Sequence, residues 1–293
     1  MSAPVTSPQL QSSPNIAFEF VRKLAGELSA GHVDLPSFPE IAVRVRRVLS
    51  DQRSSTAQVV RVVGSEPALA ARLLRISNSA SLNRSGRPIT ELRTAINRIG
   101  YNMVRSAAMS FAMAQIRKAN KLKGLEHYLN DLWQRSTVVA AFCYVLARTC
   151  SRVNPDEAML CGMMHGIGKL YVLTRATHHP DLFADPATLN GVISDWHASI
   201  GKAILENWDF SEEMAAAIGD QDDHTRDEPG MPDLRDIVAV GILMASYPND
   251  AAALETALHD LPTARRLGLD QAKTAKVMQD SAAEISALSD ALG

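Results

Sequence analysis

A chain of 293 residues is long enough for one large domain or two lobes around a sizeable core. With 46% hydrophobic, 21% charged and only 5% aromatic residues it is an ordinary globular composition that favours helix over sheet. The formal net charge of -2 excludes a strongly basic or acidic chain as a whole, and three cysteines without CxxC spacing exclude a disulfide framework and fit a reducing cytosolic compartment.

Residues 1–15 are rich in Ser, Pro and Gln and lack both a basic start and an apolar run, so they read as a disordered leader. Residues 16–30 repeat apolar side chains at helical spacing (Phe18, Val21, Leu24, Ala25, Leu28) and stop at Gly31. Leu35-Pro36-Ser37-Phe38-Pro39 predicts a turn feeding a helix over 40–49, with Pro39 at a first helical position where its missing N–H is not needed. Ser55 and Gln58 have capping-box spacing, Ser65-Glu66-Pro67 starts a helix through 68–78, and Thr90-Glu91 starts another that stops at Gly100. Residues 101–118 are apolar on most faces, as in a helix buried from several sides. The basic, polar stretch 118–123 predicts a hinge between two lobes.

Beyond it, helices are predicted over 132–150 and, after the Asn154-Pro155-Asp156-Glu157 start signal, over one continuous segment carrying 159–173. His178-His179-Pro180 and 183–190 read as loop, followed by helices at 193–207, 211–219 and 234–247. The acidic, turn-rich stretch 220–233 reads as a loop, and 269–292 as one or two alanine-rich amphipathic helices. The longest apolar run, 138–147, is about half a bilayer span, so no membrane crossing is expected. No strand-type alternation of useful length and no internal repeat is present.

Charge is distributed unevenly. Arg44, Arg46, Arg47, Arg53, Arg61, Arg72, Arg75, Arg84, Arg87, Arg93, Arg98 and Arg105 face only Asp51, Glu66 and Glu91 across residues 41–105, so the remainder is acidic. Either these arginines are solvated faces whose stems cover apolar surface, or they form a basic lobe for an acidic partner, a nucleotide or nucleic acid.

Several motifs occur in a telling order: Leu35-Pro36-Ser37-Phe38-Pro39-Glu40, then residues 64–80 (Gly64-Ser65-Glu66-Pro67 through Ser77-Asn78-Ser79-Ala80), then 90–100 ending Ala95-Ile96-Asn97-Arg98-Ile99-Gly100. Leu132-Trp133, residues 162–170 and Trp196-His197-Ala198-Ser199-Ile200-Gly201-Lys202 through Trp208 follow. Together they resemble the HDOD domain, a relative of the His-Asp metal phosphohydrolases found in bacterial signalling proteins, over roughly 35–243. The resemblance implies an all-α, two-lobed helical bundle: an N-terminal helical lobe (16–118) packed on an HD-like C-terminal lobe (124–292).

Carried over position by position, the resemblance places Arg135 where hydrolases have their first His. His165 is retained, but its Asp neighbour is Gly166; His197 is retained; Gln221 and Asp222 stand nearest the later His pair; and the final Asp, expected near Ala245-Ser246, is absent. Lys169 keeps a position that could orient a phosphate. A metal needs several converging N and O ligands, and a cation at Arg135 repels one. No catalytic residue, metal or cofactor is therefore expected; His165, His197 and Asp222 are the only residual ligand candidates. Arg72, Arg75, Arg98, Arg135 and Lys169 are the candidate interaction or groove residues.

No GxxxxGK[ST] phosphate loop and no GxSxG elbow occurs. The expected function is that of a non-catalytic, cytoplasmic bacterial regulatory protein. It would bind signalling proteins in trans, with a nucleotide or other anionic ligand as a further candidate. The alternatives are a residual metal-dependent phosphohydrolase and a DNA-binding regulator reading through the helix-turn-helix-like segment 58–80. Nucleic acid is the disfavoured partner because the resemblance already accounts for that segment as structural.

Overall fold

The computed structural model describes residues 13–30, 40–51, 53–78, 83, 87–118, 125–208, 210–248 and 250–292. The leader up to residue 12, the turn at 35–39 and the hinge at 119–123 lie outside them. Every regular element among the described residues is helical, and no helix among them is long and apolar enough to cross a membrane.

The first small core gathers α2 (Glu40–Ser50), α3 (Thr56–Gly64), α4 (Pro67–Ser77) and α5 (Leu92–Lys118), after an initial α1 (Ser13–Ser29). Local chemistry sets their ends. Ser55 Oγ accepts from the Gln58 N–H while Gln58 Oε1 accepts from the Ser55 N–H, closing the capping box that starts α3. Pro67 opens α4. Gly100, at φ 77°, breaks α5 where the sequence places a helix end, and a second helical segment starts directly after it. Val45, Val59, Val63, Leu69, Leu73 and Ile96 are fully buried between these helices.

The larger body comprises α6 (Glu126–Cys150), α7 (Pro155–Met164), α8 (Ile167–Ala176), α9 (Pro180–Phe183), α10 (Pro186–Asn207), α11 (Glu212–Gly219) and α12 (Leu234–Met244). It is completed by α13 (Ala251–His259), α14 (Pro262–Arg266) and α15 (Gln271–Leu292). Asn154 Oδ1 caps α7 by accepting from Asp156 and Glu157 N–H groups. The predicted continuous helix over 159–173 is in fact two, because the chain turns at His165-Gly166 between α7 and α8. The predicted loop 183–190 is helical from Pro186 onward, since Asp185 accepts from the Thr188 N–H and Oγ1 and Pro186 supplies a preset first turn. The tail is a single helix packed against α6, α4 and α5.

α1 joins the larger core and not the first lobe. Phe20 and Leu24, at 1% and 2% exposure, pack into the second cluster, while Phe18 points outward at 65%. Burying each of the two contributes about 1.5–3 kcal/mol. Glu27 Oε2 fixes the helix by accepting from Tyr171 Oη (3.0 Å) and pairing with Arg175 (3.0 Å). A lobe boundary that gives residues 16–30 to the first body is thus corrected. Arg46 on α2 donates to the Trp208 carbonyl at the end of α10 and ties the two bodies together.

The stretch 220–233 is non-helical as predicted, and two of its acids are paired with its own arginine. Arg226 pairs with Asp233, Glu228 and the fully buried Asp236, which Arg266 also holds at 3.1 Å. Burial disfavours the Asp233 carboxylate, but the Arg226 hydrogen bond outweighs it and holds its pKa at about 2.

Candidate functional site

α8 crosses α10 at Gly168. A β-carbon there would lie 1.9 Å from the His197 carbonyl oxygen and 2.8 Å from the Gly201 nitrogen, so only glycine permits this approach. The crossing brings the α7–α8 turn, with His165, against the middle of α10, with His197. Arg135 on α6, Lys169 on α8, Asp222 after α11 and Ser246 after α12 complete the neighbourhood.

His165 is buried at 1% exposure. Its Nδ1–H donates to the Gly162 carbonyl at 2.7 Å, which leaves Nε2 as an acceptor, and that atom is buried without a hydrogen-bond partner among the described residues. Burial above all, reinforced by the charges of Lys169 and Arg135, pushes its pKa down to about 3, so the imidazole is neutral.

His197 is also buried, with Nδ1 2.9 Å from the Ile193 carbonyl and Nε2 3.4 Å from Asp222 Oδ2. That contact is an ion pair only if the ring carries two protons. Burial first, then Lys169, lower its pKa against the pull of Asp222, so at neutral pH it is an imidazole beside a carboxylate.

Lys169 is half-buried and makes no hydrogen bond or ion pair with a described residue. Burial and the neighbouring Arg135 lower its pKa, with Asp222 acting in the opposite sense. Arg135 Nη2 donates to Ser246 Oγ at 2.9 Å. The bond links α6 to the segment after α12.

These residues do not fit a metal. Among the described residues no group of three or more His, Cys, Asp or Glu side chains could hold an ion, so His165, His197 and Asp222 do not form a ligand set. A β-carbon on Gly166 would meet Leu132 Cδ1 at 2.5 Å, so a side chain there requires the end of the partly buried Leu132 to shift. Gln221 is buried and donates to the Ile218 carbonyl. The three cysteines are free, and burial raises the Cys143 and Cys161 thiols far above their usual range, which rules them out as nucleophiles.

The remaining predicted interaction residues belong to the first lobe. Arg72 is 6% exposed, its guanidinium 5.7 Å from the Phe111 ring centroid, and it is core. Arg75 is exposed, and Arg98 is exposed with Nη2 3.4 Å from Asn83 Oδ1. Arg72 and Arg75 therefore do not share one recognition surface. Leu132, Gly201 and Ser246 entered the sequence reading only as members of its motifs, with no part in the site of their own.

The HDOD domain family model matches residues 35–224. The chain belongs to the HDOD domain family. HDOD architecture also accounts for its structural neighbours. A protein from Shewanella amazonensis SB2B, provisionally labelled a metal-dependent phosphohydrolase, is 27% identical with a TM-score of 0.71, covering 92% of this chain and 99% of that one. An HDOD domain protein of unknown function from Geobacter sulfurreducens is 22% identical with a TM-score of 0.63, covering 94% and 99%. A protein from Marinobacter aquaeolei VT8, provisionally labelled a signal transduction protein, is 19% identical with a TM-score of 0.63, covering 98% and 67%. No curated protein matches the sequence.

Proposed function

We propose that this HDOD protein is a cytoplasmic bacterial regulator that works by binding signalling proteins in trans and not by turnover. The observation carrying this reading is Arg135: its guanidinium, anchored on Ser246, brings a fixed positive charge to the place a hydrolase reserves for a cation-binding ligand. Gly166, with no side chain to offer an oxygen beside His165, supports the same conclusion. The label of the Marinobacter neighbour agrees with a signalling role.

The surface for the partner is the first lobe. Arg44, Arg47, Arg61, Arg75 and Arg93 are exposed, and none is paired among the described residues, so the lobe presents uncompensated positive charge to an acidic protein. A DNA-reading role through 58–80 loses support because Arg72 faces the core.

Elemental analysis of the purified protein and phosphodiesterase assays in manganese test the reading. Neither stoichiometric metal nor turnover is expected; turnover abolished by His165→Ala overturns it. Affinity capture from native cells should recover an acidic protein whose binding weakens with salt and with charge reversal at Arg44 and Arg47.

A further inference from the structure

We infer that the groove between α13 and α15 is a docking site for a basic amphipathic helix of a partner protein. The groove is built wholly from residues beyond 224, outside the span that the HDOD family model matches. The inference goes beyond the first-lobe surface and does not depend on it.

The groove has a volume of about 630 Å³, within the range of about 300–1,000 Å³ usual for binding clefts. Its floor is apolar and continuous with the larger core. Leu254 and Leu258 are buried at 1% and 6% exposure, and Leu269 and Met278 are partly buried against the same core. α13 packs on α15 more than on any other helix, and the exposed Ala275 leaves room above the floor. Met278, with an unbranched thioether, can repack around an incoming side chain. Across the gap Gln271 Nε2 donates to Glu255 Oε2 at 3.3 Å, a long bond between exposed residues that a ligand displaces at little cost.

Charge on the rim selects the sign of the occupant. Asp250, Glu255 and Asp270 line the groove against one guanidinium, that of Arg265, while His259 is engaged by Asp260 at 2.9 Å. Asp250 and Asp270 spend Oδ1 on the N–H groups of Ala253 and Lys273, and each keeps Oδ2 without a partner among the described residues. Glu255 likewise keeps Oε1. Lys and Arg flanks on an incoming helix therefore find open acceptors on both walls. An anionic lipid surface or a nucleic acid meets the wrong sign, and no group of acids among the described residues could hold a metal. α13 has 9 residues and extends about 13 Å, so the groove takes about two turns of helix, read through apolar anchors at i, i+4 and i+7. The chain's own basic helices do not supply that occupant. The apolar faces of α2 and α3 are already spent in the first core, where Val45, Val59 and Val63 are fully buried.

A displayed library of short helices with fixed Leu anchors and randomised flanks, selected on the full chain and counter-selected on Ala275→Trp, tests it. That substitution fills the groove from an exposed position, and an unchanged far-UV circular dichroism confirms that the fold survives. Selected helices should be enriched in Lys and Arg beside the anchors. A peptide made from them should bind saturably in fluorescence anisotropy, about tenfold or more weaker to Ala275→Trp, and weaker to Glu255→Lys and at higher salt. It should slow amide exchange in α13 and α15. Arg44→Glu should leave its binding unchanged, which separates this groove from the first-lobe surface. Selection of no helix that distinguishes wild type from Ala275→Trp, or of helices without basic flanks, overturns the inference. So does a wild-type dimer in sedimentation that Ala275→Trp dissociates, since a second copy then fills the groove. If the helices fail while an acidic partner is captured on the first lobe, only the groove assignment falls.

Discussion

Arg135 Nη2 and Ser246 Oγ, 2.9 Å apart, join α6 to the end of α12 across the cleft where the charges of Arg135 and Lys169 repel each other. The bond is solvated at Ser246, so its loss costs little, whereas loss of the guanidinium relieves a like-charge contact. Arg135→Ala should therefore leave stability within about 1 kcal/mol of wild type or raise it. It should also move the Lys169 pKa upward, measured by the pH dependence of amine labelling at that residue. A large loss of stability with an unmoved Lys169 would show that Arg135 is a structural strut.

Gly168 and Gly191 offer a contrast within one helix pair. At Gly168 a methyl group meets backbone atoms of α10 on two sides, and neither can yield without separating the helices. Gly168→Ala should cost about 3 kcal/mol or more in denaturant unfolding. Gly191, exposed in α10 with nothing within 4 Å of its missing β-carbon, should gain about 0.5–1 kcal/mol on substitution by Ala. In the sequence the two residues look alike.

That contrast marks what the letters convey. Caps at Ser55 and Asn154 were legible because a side-chain oxygen and an N–H two or three residues on are a local pair. Asp185-Pro186 carries the same signal for α10 and Asp250 for α13, where the surrounding loop formers obscured it. Helical spacing shows that α1 buries a face but not which body receives it, and its actual inward residues, Phe20 and Leu24, are offset from Phe18. Arg72 and Arg75 are three residues apart, only about 60° around the helix, so spacing alone puts them on one side. It is the edge of the buried face falling between them that sends Arg72 into the core and leaves Arg75 in water. At the site, the order of motifs marks out Arg135, His165, Lys169, His197 and Asp222. It does not reveal that Leu132 lies against Gly166, since that depends on how α6 rolls against the α7–α8 turn.

Glu27 is the polar latch of α1, accepting from Tyr171 and pairing with Arg175, both on α8. Glu27→Ala should destabilise the protein by about 1–3 kcal/mol, because the partners are largely enclosed and their donors lose a charged acceptor. Amide hydrogen exchange should quicken in α1 before any other helix. The exposed pair of Arg22 with Glu19 on the same helix provides the control, since Arg22→Ala should change neither measurement appreciably.

His165 gives stability a pH dependence of predictable sign. In the unfolded chain its imidazole takes up a proton below about pH 6.5, whereas burial and two nearby cations hold the folded value down at about 3. The unfolded state therefore binds more protons throughout that interval. Stability is fully present above about pH 6.5 and declines as pH falls toward about 3, with a slope of up to about 1.4 kcal/mol per pH unit. His197, shifted in the same direction by burial and Lys169, adds to the decline. Asp233, held at about 2 by Arg226, contributes stability that is lost only below about pH 4. His179, lowered by burial, adds to the decline between about pH 6.5 and 4.5, whereas Asp156, Glu157 and Glu284, raised by burial, oppose it. Denaturant titrations across that interval therefore read the His165 contribution from the difference between wild type and His165→Leu, whose slope should be smaller. An unchanged slope would mean that the native imidazole protonates freely, which is incompatible with its burial beside Arg135 and Lys169.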